Sequence, residues 1–307
     1  MSPLIKISER VEAALAEGRP VVALESTIIA RDLPRPRNLQ AAHDFESMLA
    51  DAGVTPATIA VIDGVPTVGL EDDEIERLAL SDEFVKVTSR DLAVAVGRKA
   101  SGATTIAATS TLAALAGIRI FATGGLGGVG RGETFDESAD LVTLSRTRVT
   151  VVCAGVKSIL DIAATLERLE TLNVPVVGYR TSQFPAFYLS DSGFGLDWRV
   201  DSPDEIVAIM GAGDELGARG ALIVANPVPA DQQLDPDLHD RLLIQAMQAA
   251  DDAGLRGKAV SPFVLDYFQR ESEGRSVQVN LDLSANNVAL AGQLAIEWAR
   301  REREAGD

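Results

Sequence analysis

The sequence predicts an α/β protein whose strands are mostly parallel and buried on both faces. Short runs of β-branched and small apolar residues, such as 149–153 and 118–122, show no polar alternation, as expected of strands covered from both sides. Each is followed by a turn and then by segments with helical spacing, the order that builds parallel sheets. No linker or internal repeat divides the 307 residues, and we read one domain, 1–307. Hydrophobic residues make up 46%, enough for a large core, and with aromatics at 5% that core is built from Ala, Val, Leu and Ile.

Taken in order, residues 7–17 have helical spacing and stop at Gly18. The apolar strand 21–30 is interrupted at Glu25, a carboxylate that is costly there unless paired, capping a helix or functional. Residues 31–38 hold prolines and arginines and read as a loop, with 39–53 helical and 58–62 a strand. A turn and short strand at 64–69 precede an acidic helix at 71–80 and a strand at 84–88 that contains Lys86. Residues 102–108, with Thr104 and Thr105, read as a hydroxyl-rich turn able to offer N–H and O–H groups to an anion.

After the strand 118–122 comes Thr-Gly-Gly-Leu-Gly-Gly-Val-Gly-Arg-Gly, which lacks the spacing of a phosphate loop and reads as a loop over a ligand, with Arg131 available to it. The segment 134–141 gathers Asp136, Glu137 and Asp140. Asp136 and Asp140 share a face if helical and could approach one hard cation, or could cap and compensate a helix. The second half continues with strands at 174–178 and 220–225, a helix at 237–253, another from Ser261, and a last one at 280–299. Asn286 and Asn287 stand near the start of that last helix, to cap it or meet a ligand.

Residues 149–161 draw the most attention. Ala154 and Gly155 turn the chain, 158–169 reads as a helix, and Lys157 stands at the carboxyl end of a parallel strand, where open α/β sheets place ligands. Apolar walls and a helix N-terminus there favour a neutral, nucleophilic amine. The bland alternative is that Lys157 pairs with an acidic neighbour or reaches out to water, but the chain has five lysines against 23 arginines, so a lysine at this position stands out from the ordinary cations. Cys153, the single cysteine, reads as a core residue. A net charge of −17 argues against nucleic acid or an anionic membrane as partner, and a phosphorylated substrate would need a locally positive pocket. No apolar run reaches about 18 residues, the length of a membrane span, and the expected location is the cytoplasm.

Several motifs together go beyond composition: Val-Val-Ala-Leu-Glu-Ser-Thr-Ile-Ile, Phe-Ala-Thr-Gly-Gly-Leu-Gly-Gly-Val, Thr-Phe-Asp-Glu-Ser-Ala-Asp-Leu, Val-Val-Cys-Ala-Gly-Val-Lys-Ser-Ile-Leu-Asp and Val-Ala-Asn-Pro-Val-Pro. They resemble the pseudouridine-5'-phosphate glycosidase family, with its indigoidine synthase A-like fold, over nearly the whole chain. The resemblance implies a single-domain three-layer α/β/α protein with a central mostly parallel sheet, assembled as a homotrimer. It also implies a Mn2+ or other divalent cation and the small-molecule substrates ribose 5-phosphate and a ring aglycone. Lys157 matches the lysine that forms an imine with ribose C1', Glu25 the general acid/base, Asp140 the metal-holding aspartate and Lys86 a second active-site lysine. With Lys86 we place Thr104, Thr105, Arg131, Ser138 and Asn287 around the substrate.

The chain departs from the family pattern in its loops. Ala30-Arg31-Asp32 stands where members read Ser-His-Gly, Gly130 stands where they carry a histidine, and the following loop is shorter. With Gly130 we expect open space at the missing imidazole. Retained chemistry with altered loops favours a C-glycosynthase of natural-product biosynthesis. The alternative is an ordinary pseudouridine-5'-phosphate glycosidase releasing uracil, and a non-enzymatic binding protein would be expected to have lost Lys157 or Glu25.

Overall fold

The computed structural model describes residues 4–132, 135–256 and 259–306, so Thr134, the first residue of the acidic motif, and Lys258 lie outside the described residues. Among the described residues eleven strands form one sheet: β1 (Lys6–Ile7), β2 (Val21–Leu24), β3 (Thr55–Ile62), β4 (Val65–Val68), β5 (Val85–Val87), β6 (Gly102–Thr104), β7 (Ile120–Ala122), β8 (Thr150–Cys153), β9 (Val176–Tyr179), β10 (Arg199–Val200) and β11 (Leu222–Ala225). Their spatial order is β1-β4-β3-β2-β7-β8-β11-β9-β10, with β6 also paired to β3 and β5 to β6. The pairs β3–β4 and β3–β6 are antiparallel. The central run β3-β2-β7-β8-β11-β9 is parallel throughout.

Alternate residues of these strands feed two separate cores, as the two-residue period of a strand requires. Val22 and Leu24 of β2, Val152 of β8 and Val224 of β11 face one side, whereas Val21, Ala23, Val151 and Ile223 face the other. The first side is covered by α2 (Arg37–Asp51), α3 (Asp72–Leu80), α8 (Pro203–Glu215) and α11 (Arg275–Gly306). The second is covered by α1 (Glu9–Ala16), α5 (Ile106–Ala116), α6 (Ala139–Leu144) and α7 (Ile162–Thr171). The expected three layers are therefore present. The short α4 (Leu92–Arg98) packs beside β5 and α5, while α9 (Pro236–Asp252) and α10 (Val260–Glu271) close a third apolar cluster with Phe187 and Tyr188 beyond the strand ends.

Several sequence expectations need correction. Residues 102–108 are a strand running into α5 and not a turn. The helix expected at 158–169 starts at Ile162, where the Asp161 carboxylate accepts the Ala164 N–H at 2.9 Å as its cap. The strand expected over 21–30 ends at Leu24, and the segment 31–38 is only partly a loop, because residues Ile28–Asp32 form a π-helical turn and α2 already begins at Arg37. Asn286 and Asn287 lie well inside α11, which begins at Arg275, so neither caps it. Four elements, β1, α4, β10 and α8, escape the pattern reading altogether. β10 is too short to show a period, and Gly211 and Gly213 hide the helical signal of α8.

Candidate active site

β2, β7 and β8 lie side by side, with Leu24 opposite Ala122 and Ala122 opposite Val152. Their register carries the next residues, Glu25 and Thr123, to one level at the carboxyl edge of the sheet. The Thr123 hydroxyl donates a short hydrogen bond to Glu25 Oε1. Thr123 is itself fixed from behind, since Asn287 Nδ2 donates to its carbonyl at 2.8 Å and to that of Gly124 at 3.3 Å. Beyond β8 the chain turns through Gly155 at φ +78°, where a Cβ would collide with the Pro185 carbonyl. The Lys157 N–H then bonds to the Leu126 carbonyl at 3.1 Å, tying the lysine to the glycine run.

Lys157 Nζ donates to Asp32 Oδ2 at 3.0 Å, and the two side chains keep only 20% and 13% of their surface exposed. Burial works against the ammonium form, but Asp32, Glu25 and Asp140 outweigh it and hold the lysine above its ordinary value. This overturns the expectation of a neutral amine at rest. The reason is physical: the helix N-terminus is farther along the chain than expected, and three carboxylates surround the nitrogen. Burial pushes Glu25 up to about 7, against the opposing pull of Lys157 and Thr123, so near neutral pH it exists in both protonation states. Burial pushes the Cys153 thiol up to about 12, in keeping with a core residue.

Both residues open on a cleft of about 520 Å3 lined also by Lys86, Thr88, Arg90, Thr105, Ser138 and Asp140. Asp140 is nearly buried; its Oδ1 accepts the Ala107 N–H at 2.9 Å and its Oδ2 the Gly127 N–H at 3.0 Å. Gly127 has to be glycine for this, because a Cβ would collide with Ser138 Oγ and stand 2.7 Å from Asp140 Oδ2. Ser138 caps α6 by accepting the Asp140 N–H at 3.2 Å. The Thr105 hydroxyl is buried without a protein partner at the cleft wall. Lys86 and Arg90 bring cations to the cleft, but Arg90 is paired with Asp91 at 3.5 Å and the lining also carries Asp136, Glu137 and Asp140, so these residues alone do not make the locally positive pocket expected for a phosphorylated substrate.

Three residues placed around the substrate are not on the cleft lining. Thr104 is fully buried, its hydroxyl donating to the Ile59 carbonyl at 2.5 Å, and it supports the wall from behind. Asn287, also fully buried, joins Asn226 at 3.0 Å to the backbone of Thr123. Arg131 turns to the Ser158 carbonyl at 3.2 Å. Gly130 itself lines the cleft, while the side on which a Cβ would stand is closed by Asp136. Its N–H bonds to the Asp136 carbonyl at 2.6 Å, and a Cβ added there would stand 3.0 Å from Asp136 Oδ2. Asp136 precedes α6, so it does not share a helical face with Asp140.

Among the described residues no three His, Cys, Asp or Glu side chains converge as a metal-ligand set. The oxygen-only chemistry of Asp140 suits a hard divalent ion held by one carboxylate and otherwise by water.

The arrangement also contains residues that sequence reasoning passed over. Thr123 directly follows a buried strand, the same position as Glu25, but it carries no ionisable group to single it out. Asp32 was noticed only as a departure in a loop, since nothing local shows that its carboxylate meets a lysine 125 residues away.

This geometry has close counterparts. A pseudouridine-5'-phosphate glycosidase of Frankia alni is 56% identical over 305 residues, covering 99% of this chain and 84% of that protein. One from Saccharopolyspora erythraea is 58% identical over 291 residues, covering 94% and 96%. Among solved structures, the prealnumycin C-glycosynthase AlnA in complex with ribulose 5-phosphate superposes with a TM-score of 0.91 at 34% identity, covering 99% of this chain and all of that one. An indigoidine synthase A-like protein from Thermotoga maritima gives 0.89 at 33%, covering 98% and 99%. The family model described as indigoidine synthase A like protein matches residues 10–297, a span that holds every residue of the cleft. By that match and by these identities, the chain belongs to the indigoidine synthase A like protein family.

Proposed function

We propose that this protein cleaves the carbon–carbon bond of pseudouridine 5'-phosphate, releasing uracil and ribose 5-phosphate. The observation that carries the reading is the meeting of Lys157 with Glu25, a carboxyl that titrates near neutrality, in one cleft that Lys86 and Arg90 also line. The alternative favoured by sequence alone, a C-glycosynthase, has weaker support: relatives at 56% and 58% identity are named as glycosidases, and the C-glycosynthase stands at 34%.

A carbon–carbon glycosidic bond has no heteroatom to protonate, so two-carboxylate glycosidase logic does not apply. In our reading the neutral Lys157 amine bonds to C1' as the C1'–O4' bond breaks, a proton from the nitrogen passes to O4', and the lysine then holds C1' of the opened ribose as an amine. Glu25, in its protonated form, gives a proton to the uracil ring carbon. The nitrogen lone pair then closes onto C1' as an iminium while the electrons of the breaking bond return to the ring. Water releases ribose 5-phosphate from Lys157. Lys86, Arg90 and the free Thr105 hydroxyl are suited to the phosphate. Asp140 would hold a divalent ion, Mn2+ or a similar hard cation, which when bound adds positive charge that orders water and polar groups.

The test is incubation with pseudouridine 5'-phosphate, following free uracil, combined with borohydride trapping and peptide mass spectrometry. Uracil release with reduction of ribose 5-phosphate onto Lys157 is the expected result. Absence of uracil together with C-ribosylation of an electron-rich aromatic acceptor would move the assignment to synthesis.

A further inference from the structure

Asp32 is the group in direct contact with the nitrogen that has to react. It closes the π-helical turn Ile28–Asp32, in which the Leu33 N–H reaches back five residues to the Ile28 carbonyl at 3.1 Å. π-turns widen the helical path by one residue, and they recur at functional sites because they redirect a side chain. Here the turn follows Glu25 with only Ser26 and Thr27 between, so one short segment delivers two carboxylates to Lys157.

The segment is firmly held. Ile28, Ile29 and Leu33 are buried, Arg31 donates to the Phe84 carbonyl at 2.5 Å, and Asn38 Nδ2 donates to the Ile29 carbonyl at 2.9 Å. Asp32 is therefore placed by the core and not by a mobile loop.

The three carboxylates around Lys157 have different engagements. Glu25 accepts from Thr123, and Asp140 accepts two backbone N–H groups. Asp32 is the one bonded to Nζ itself, at 3.0 Å. Tyr188 also feels this pair: its phenol is buried and bonded to Ser276, and it is pushed above its ordinary range by that burial and by Asp32. An ammonium cannot attack a carbonyl, and its proton needs an acceptor within hydrogen-bond reach.

Resting on the imine reading of Lys157, we infer that Asp32 is a catalytic proton carrier for the imine step. Written from free ribose 5-phosphate, as the reverse of its release by water, the Nζ proton moves to Asp32 and the freed amine attacks C1' of the open-chain sugar, giving a carbinolamine after transfer of a second proton from nitrogen to oxygen. Asp32 then returns its proton to the carbinolamine hydroxyl, which leaves as water while the C1'–N bond becomes double. The products are one iminium, one water and the original Asp32 carboxylate, which faces the new cation. Charge and atoms balance without any other reactant. Glu25 is left to act on the aglycone carbon, so two carboxylates from one segment divide two proton transfers between them.

The test is the rate of borohydride-trapped adduct formation from ribose 5-phosphate on Lys157, followed over a range of pH by peptide mass spectrometry. The wild type labels Lys157, and Asp32→Asn labels it about 10²-fold or more slower near neutral pH, recovering only in alkali. Asp32→Gly gives the independent measurement: added formate restores its labelling rate in proportion to concentration, which loss of a purely structural contact would not allow. Labelling of Asp32→Asn as fast as or faster than wild type, with the profile merely displaced to lower pH, overturns the inference by making Asp32 a counter-ion only. Failure of formate to rescue Asp32→Gly overturns it too. A wild type that forms no Lys157 adduct overturns the imine reading itself, an outcome distinct from either.

Discussion

Asn287 on α11 donates to the main-chain carbonyl of Thr123 at 2.8 Å, and so fixes the residue whose hydroxyl holds Glu25. The long helix on one face of the sheet thereby reaches the acid without touching the cleft.

Replacing this asparagine tests the connection. Asn287→Ala strips partners from the Thr123 and Gly124 carbonyls and from Asn226 Nδ2, all in a buried setting. A buried polar group left unmade costs about 1–3 kcal/mol. Denaturant unfolding should show a loss of that order or above, accompanied by slower turnover with little change in sugar-phosphate affinity.

The acid itself gives a second prediction. Glu25→Gln keeps the shape of the side chain but cannot move a proton, so turnover should fall by about 10²- to 10⁴-fold while ribose 5-phosphate still binds. Retention of more than half the wild-type rate would remove Glu25 from its role.

Cleavage should also follow the titration of Glu25. The proton donor is the protonated form, so kcat for uracil release should decline as pH rises through about 7, and this limb should vanish in Glu25→Gln. Stability carries the same sign. The folded value lies above the ordinary 4.5, so the contribution is fully present below that pH and is lost as pH rises towards 7. Urea midpoints of wild type and Glu25→Gln, compared across this window, measure it.

Gly127→Ala tests the seat of Asp140. The added Cβ has no room beside Ser138 Oγ and Asp140 Oδ2, and overpacking of this kind costs about 1–3 kcal/mol. We expect a lower melting temperature and weaker Mn2+ binding by titration, because the Gly127 N–H can no longer meet Oδ2 in its present place.

How much of this was readable beforehand differs residue by residue. Glu25 and Lys157 stand out in the sequence because each is an ionisable group after a buried strand, and the structure places both on one cleft. Thr104 and Thr105 show the limit. Read as a turn, they looked equivalent; in the structure the chain is extended through β6, adjacent side chains point oppositely, and only Thr105 reaches the cleft. Asp32 was hidden for another reason. Its surroundings of proline and arginine read as loop, whereas buried Ile28, Ile29 and Leu33 wind it into a π-turn, and its partner lies in a distant segment. The charge state of Lys157 was misjudged because it depends on three carboxylates brought from separate parts of the chain.

The alignment of β2, β7 and β8 has a bearing on refolding. The contacts that define the site join residues 98 and 125 positions apart, through strands that pair in parallel and close only after long loops have been brought in. Local helices form on a far shorter timescale than such pairings. In a denaturant-jump experiment, ellipticity should therefore recover well ahead of catalytic competence, with the returning activity timing the completion of the sheet.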